Sequence, residues 1–181
     1  ALELVNQGGN YGSGPRLFNC AEGGDFTKGL YTRNGYITYG ELDGYTLEME
    51  AGKKYDINFT TARWKASGEW FKFQVINEFD EVELEEMIHN NPDMNGQKTA
   101  VKGATKFSKQ FIPEMGGNYI LKWIVCNEAG DMQTGGYVEP LLGTPTVKYV
   151  PNAVGITETL ALQTALEAAK AVRDANAAER Y

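Results

Sequence analysis

The sequence predicts an all-β domain: a two-sheet antiparallel sandwich of jelly-roll type, followed by a C-terminal α-helix. Three observations carry this expectation. Several short segments alternate apolar and polar residues with a period of two. The 21 glycines sit largely beside Asn, Asp and Ser, which punctuate a chain with turns. The last 30 residues switch to an Ala-rich pattern with helical spacing.

The elements follow in order. Residues 1–5 and 16–20 are short strand candidates, separated by a loop, Gly8 to Pro15, whose glycines and proline forbid regular structure. The chain turns at Glu22 to Asp25. Phe26 to Arg33 and Tyr36 to Leu42 are expected to form a hairpin about Asn34-Gly35, a pair suited to a two-residue turn. From Tyr45 to Ala51 the odd positions are apolar and the even ones are Thr46, Glu48 and Glu50. After the turn at residues 51–54, Tyr55, Ile57 and Phe59 point inward, and Asp56, Asn58 and Thr60 outward. Phe71, Phe73 and Val75 form the next inward row, and Tyr119, Leu121, Trp123 and Val125 another. Thr146 to Val150 closes the set. Between Glu78 and Gly103 an acidic run is expected to continue partly as a strand through Val82, Leu84 and Met87 or Ile88, the rest being surface loop. A helix is expected from Thr157, a suitable N-cap, to about Glu179. Two units follow: a sandwich over residues 1–151, and a linker with the first helix of a spacer over 152–181.

Composition narrows the partners. With 17 basic and 24 acidic residues the net charge is -7, which disfavours nucleic acid. No apolar run approaches the roughly 20 residues needed to cross a bilayer, so membrane insertion is not expected. The sequence opens on Ala1 and carries no leader-like segment, so it is expected to be a piece of a larger chain. Cys20 and Cys126 match no metal-ligand spacing; a disulfide in an exported chain and two free thiols both remain open. Catalytic signatures are missing. There is one histidine, His89, expected in a polar loop, and no Gly-x-Ser-x-Gly elbow. The expectation is a non-enzyme that needs no cofactor.

Four stretches resemble a known family: Gly24-Asp25-Phe26-Thr27-Lys28-Gly29-Leu30-Tyr31, Ala51-Gly52-Lys53-Lys54-Tyr55, Ala62-Arg63-Trp64-Lys65-Ala66-Ser67-Gly68 and Gly117-Asn118-Tyr119-Ile120-Leu121-Lys122-Trp123. They resemble the galactose-binding-like β-sandwich modules of large secreted polysaccharide-degrading proteins of gut and rumen Bacteroidetes. Residues 160–181 resemble the helical spacers that follow such modules. The resemblance implies a carbohydrate-binding module that brings a parent catalytic domain to a polysaccharide or oligosaccharide. It implies a secreted or cell-surface location, with the periplasm also compatible. Some relatives serve only as structural or protein-binding spacers, which is the alternative expectation. The resemblance also implies a structural Ca²⁺ in some members; Asp25, Glu128, Asp131 and Glu139 lie near turns that supply oxygen ligands, without an identifiable ligand set.

A sugar offers an apolar C–H face and a rim of hydroxyls, so its site needs flat aromatic rings beside amides, lysines and carboxylates. Strand parity places Trp64 in the register of Asp56, Asn58 and Thr60, and Trp70 with Lys72 and Gln74. Trp64 and Trp70 are the expected platforms, with Asn58, Lys72 and Gln74 bonding hydroxyls. Tyr36 and Tyr39, near glycine-rich turns, are expected to flank the sugar; Tyr11 and Tyr137 share that setting.

Overall fold

A computed structural model describes residues 2–3, 16–25, 27–31, 34–42, 45–64, 68–91, 93–94, 100–134, 138–151, 162–170 and 173. Among the described residues fourteen strands follow one another: β1 (Leu2–Glu3), β2 (Arg16–Asn19), β3 (Lys28–Tyr31), β4 (Tyr36–Tyr39), β5 (Glu41–Leu42), β6 (Tyr45–Met49), β7 (Lys54–Trp64), β8 (Trp70–Asn77), β9 (Val82–His89), β10 (Asp93–Met94), β11 (Thr105–Phe111), β12 (Gly117–Cys126), β13 (Pro140–Gly143) and β14 (Thr146–Val150). They form two seven-stranded sheets. All pairs are antiparallel except β7 with β10, so this is the expected two-sheet sandwich. Residues 1–150 form one compact unit and residues 151–181 another. In the second, residues 162–170 are helical and exposed.

In the first sheet β12 is the hub. One edge carries β4 and β6 end to end, and the other pairs with β8 over Tyr119 to Cys126. β9 then pairs with β8 as a hairpin arm. In the second sheet the hub is β7. β11 runs along Tyr55 to Thr61, while β14 and β13 share the opposite edge. β3 and β2 extend that side.

Parity then sets the core. Ile57 and Phe59 of β7 meet Phe71, Phe73 and Val75 of β8 and Tyr119, Leu121, Trp123 and Val125 of β12. At the centre Phe59 stacks on Phe107 at 4.5 Å, meets Trp123 edge-on at 5.3 Å and lies 4.9 Å from Phe73. Phe73 also packs on Trp123 at 5.2 Å. Each such pair contributes about 0.5–1.5 kcal/mol beyond the burial of its area. These contacts join the two sheets.

The hairpin expected about Asn34-Gly35 does not form. Both residues take the positive φ that such a turn requires, 65° and 76°. However, β3 pairs with β2 and β13 in the second sheet, and β4 with β1 and β12 in the first. The turn is therefore an arch from one sheet to the other. Its backbone is held by Val125, Gln133 and Val138 rather than by a hairpin ladder.

The acidic run is also more ordered than a loop. It forms the turn after β8 and most of β9. Asn77 is buried; its Oδ1 accepts from the Phe79 and Glu81 amides, and its Nδ2 donates to Glu81 and Glu83. Glu83 sits at a bulge between the pairs Val75–Leu84 and Ile76–Val82. There it accepts from the Tyr119 hydroxyl at 2.7 Å and the Glu114 amide at 3.0 Å. Glu86 pairs with Lys109 of β11 across the open edge of the sandwich.

Three strands are not legible in the sequence: β10, two residues long, falls in the stretch expected as surface loop, and β11 and β13 interrupt the apolar pattern. β11 places a lysine, Lys109, between Phe107 and Phe111 on its inward parity, which breaks the apolar row. β13 is four residues long and begins with proline. Both cysteines are free thiols. Burial raises the pKa of each, and they lie on different sheets' sides, Cys20 just past β2 and Cys126 at the end of β12.

Two outcomes test this packing. Phe73→Ala is expected to cost about 3–5 kcal/mol by denaturant unfolding, because it removes a fully buried ring from the centre. Burial pushes the Glu83 carboxyl up, but its bonds to Glu114, Tyr119 and Asn77 outweigh that and hold it below its ordinary value of 4.5. A depressed carboxyl stabilises the fold above its unfolded pKa and loses that contribution as pH falls through its folded pKa. Urea unfolding of Glu83→Gln at neutral pH and near pH 3 is therefore expected to show a shallower acid loss than the parent.

Candidate functional site

The outward residues of the second sheet build a groove. Three strands bring Ser108, Asn58 and Thr146 into one row, since Asn58 is opposite both others. Lys106 stands opposite Thr60 in the next row. Neighbouring strands lie about 4.8 Å apart, so the row spans roughly 10 Å. Thr144, Lys28, Thr27 and Asp25 add the rim, and the groove encloses about 630 Å³.

One wall depends on the segment 100–104. Val101 and Ala104 pack with Ala62 and Leu141 in a small cluster on the outward side of this sheet, with Cys20 beside it. Asp25 fastens the segment. Its amide donates to the Val101 carbonyl at 2.6 Å, and its carboxylate accepts from the Ala104 amide at 2.9 Å. Lys106 reaches the same carboxylate at 3.3 Å. The Ala104 amide, together with Lys106, holds the Asp25 carboxyl below the ordinary carboxylate range. A group so engaged is a poor proton donor near neutral pH. Gly24 allows the approach: a Cβ there would lie 2.6 Å from the Val101 backbone.

The residues expected to act together are divided between the sheets. Asn58 lines the groove. Trp70, Lys72 and Gln74 lie on the outward side of the first sheet instead. Trp70 is half-buried and packs against His89, with ring centres 4.7 Å apart. Gln74 donates to Glu85 at 2.6 Å. Lys72 runs beneath Gly130, in the turn that follows β12. Tyr36 is on that side too, with the Lys122 ammonium 4.2 Å over its ring. Tyr39, one strand residue past Thr38, packs against the core instead of a loop rim. His89 ends a strand and bonds Asn91, so it is not a loop residue. The backbone of Trp64 ends β7, and its side chain lies outside the described residues, as do Tyr11 and Tyr137.

Of the row Ser108–Asn58–Thr146 the sequence singles out only Asn58; Thr146 opens the short β14, and Ser108 lies on β11, whose inward row Lys109 interrupts. The alternation of β11, with Lys106, Ser108 and Gln110 on one side and Phe107 and Phe111 on the other, was the available signal. The four turn carboxylates considered for Ca²⁺ do not gather: among the described residues no group of three His, Cys, Asp or Glu side chains forms a metal cluster. Asp131 instead bonds its own turn through Asn127.

No family model matches the sequence, and no curated protein matches it. Solved structures do. The CBM22-1–GH10 modules of an endo-1,4-beta-D-xylanase from Clostridium thermocellum, complexed with xylohexaose, match at 19% identity and a TM-score of 0.41 over 77% of this chain. The match spans 25% of that xylanase chain. A C-terminal family 6 carbohydrate-binding module of a marine laminarinase from Zobellia galactanivorans matches at 13% identity and a TM-score of 0.44, over 82% of this chain and 98% of its own. The K1 cleaved adhesin domain of Lys-gingipain from Porphyromonas gingivalis matches at 12% identity and a TM-score of 0.46, over 81% and 89%.

Gly24→Ala tests how the wall is built. Segment 100–104 must move, so the protection of the Asp25 and Ala104 amides in hydrogen exchange is expected to fall. Stability is expected to drop by about 1–3 kcal/mol.

Proposed function

We propose that this chain is a non-catalytic carbohydrate-binding module whose site is the groove on the second sheet. The observation that carries the reading is the row Ser108–Asn58–Thr146, a line of hydroxyl and amide groups across three paired strands. These groups both donate and accept, as sugar hydroxyls do. They are held by the sheet itself, so little ordering is needed on binding. Glycoside hydrolysis uses two carboxyl groups that flank the scissile bond. Asp25 is the one carboxylate among the groove's described lining residues, and it is engaged with the 100–104 wall. That favours binding over cleavage.

In this reading the module tethers a parent polysaccharide-active protein to its substrate, in the secreted or cell-surface setting that the sequence resemblance implies. Affinity falls in the micromolar to millimolar range, about -8 to -4 kcal/mol, since an open groove buries few contacts. Several modules in one parent raise retention by effective concentration. The outward side of the first sheet, with Trp70, is the second candidate surface.

Calorimetry against a panel of soluble polysaccharides decides between the surfaces. Asn58→Ala is expected to weaken binding about two- to tenfold, the value of one or two hydrogen bonds, and Trp70→Ala to leave it unchanged. If Trp70→Ala abolishes binding while Asn58→Ala does not, the groove is the wrong site. If no polysaccharide binds at all, the chain is a spacer.

A further inference from the structure

The charge of the groove face differs from that of the chain. The outward positions of the second sheet carry Lys54, Lys106 and Lys148, and Lys28 stands at the rim. Against these four ammonium groups stand two carboxylates, Asp25 and Asp56. Lys106 is paired with Asp25; among the described residues Lys28, Lys54 and Lys148 form no ion pair. The chain as a whole is net -7. Much of its acidity sits on the other sheet and its turns, in Glu78, Glu81, Glu83, Glu85 and Glu86, where most of these carboxylates are already bonded to Asn77, Gln74, Lys109 and Tyr119. The fold thus sorts its charges: among the described residues, lysines without an ion-pair partner stand around this polar groove.

Among the described residues the groove presents no aromatic platform for a neutral sugar. Its two lining aromatics, Phe59 and Phe107, are core residues stacked on each other between the sheets. No described ring lies open in the groove as a platform. What the described lining offers a ligand is hydrogen bonds and charge. Lysine ammoniums attract carboxylate or sulfate groups as point charges. Lys106 and Lys148 are four positions apart along the register of β7, about 13 Å at the strand rise. That spacing suits a polymer carrying repeated negative groups better than a single anion.

We propose that the groove takes an anionic polysaccharide, one bearing carboxylate or sulfate groups along its chain. This inference rests on the carbohydrate-binding reading above. Hydroxyls bond to Ser108, Asn58 and Thr146, while the anionic groups lie near Lys28, Lys106 and Lys148. A nucleic acid shares the negative charge but is repelled by the acidic remainder and finds no stacking ring among the groove's described residues.

Affinity electrophoresis tests it with the whole chain on gels holding polygalacturonate, a sulfated galactan, neutral xylan, neutral β-glucan or duplex DNA. Retention is expected on polygalacturonate or the sulfated galactan, and the two arms tell carboxylate from sulfate. It should fall sharply at about 0.5 M salt, where screening is nearly complete within a few ångströms. Lys28→Glu/Lys148→Glu is expected to lose at least about tenfold, with an unchanged melting temperature because both side chains are exposed. Retention on xylan or β-glucan that is equal, salt-independent and unaffected by the lysine changes overturns the charge inference and leaves the groove reading standing. Retention on DNA as strong as on the anionic glycans overturns it as well. No retention on any glycan removes both.

Discussion

The contact of four rings, Phe59 and Phe107 from one sheet with Phe73 and Trp123 from the other, is the interaction on which the rest of the structure depends. A sheet has two faces and a strand alternates between them. Once these rings are fixed inward, every odd residue of β7 from Tyr55 to Thr61 is buried. Every even residue from Lys54 to Thr60 is turned to the outer side. A slip of one residue would put Asn58 and Thr60 in the core and Phe59 in water. The groove is therefore a by-product of the core: its polar row is the other side of the same strand.

Around that core, polar groups close the ends of the sandwich. Tyr119 shows the division of labour within one side chain. Its ring is buried against Phe111, and its hydroxyl emerges at the edge to meet Glu83 and the Met115 carbonyl. Burial and the neighbouring Glu83 raise the phenol's pKa, so it stays a donor throughout the ordinary pH range. The bulge that lets Glu83 reach it interrupts the β8–β9 register at one point and leaves Phe71, Phe73 and Val75 in place. Acidic residues that compose a hydrophilic run in the sequence thus become fasteners between β8, β9 and the turn before β12.

The segment 100–104 covers part of the second sheet's outer side. By covering Ala62 and Leu141 it closes one end of an otherwise open face. What remains uncovered is the polar groove. Asp25 does two things here: it anchors the wall and neutralises part of the positive charge of Lys106. The other lysines keep their charge available. Shape and charge at the groove are consequently set by residues far apart in the chain, from Lys28 to Lys148.

The sequence by itself determined the inward rows, because alternation is a local property of a pleated strand and apolar residues leave water wherever the strand pairs. It also determined the turns, as at Asn34-Gly35, whose positive φ values are those its residue types favour. Only the tertiary structure decided which strands those turns connect. Local chemistry bends the chain, whereas partner choice depends on long-range burial, and there β3 and β4 went to opposite sheets. The same reason divided the expected site. Parity identified Asn58, Trp70, Lys72 and Gln74 as outward-facing, and each of them does face outward. But outward has two meanings in a sandwich, one for each sheet. Which sheet a strand joins is fixed by its neighbours, so Asn58 came to lie in the groove and Trp70 against His89 on the far side.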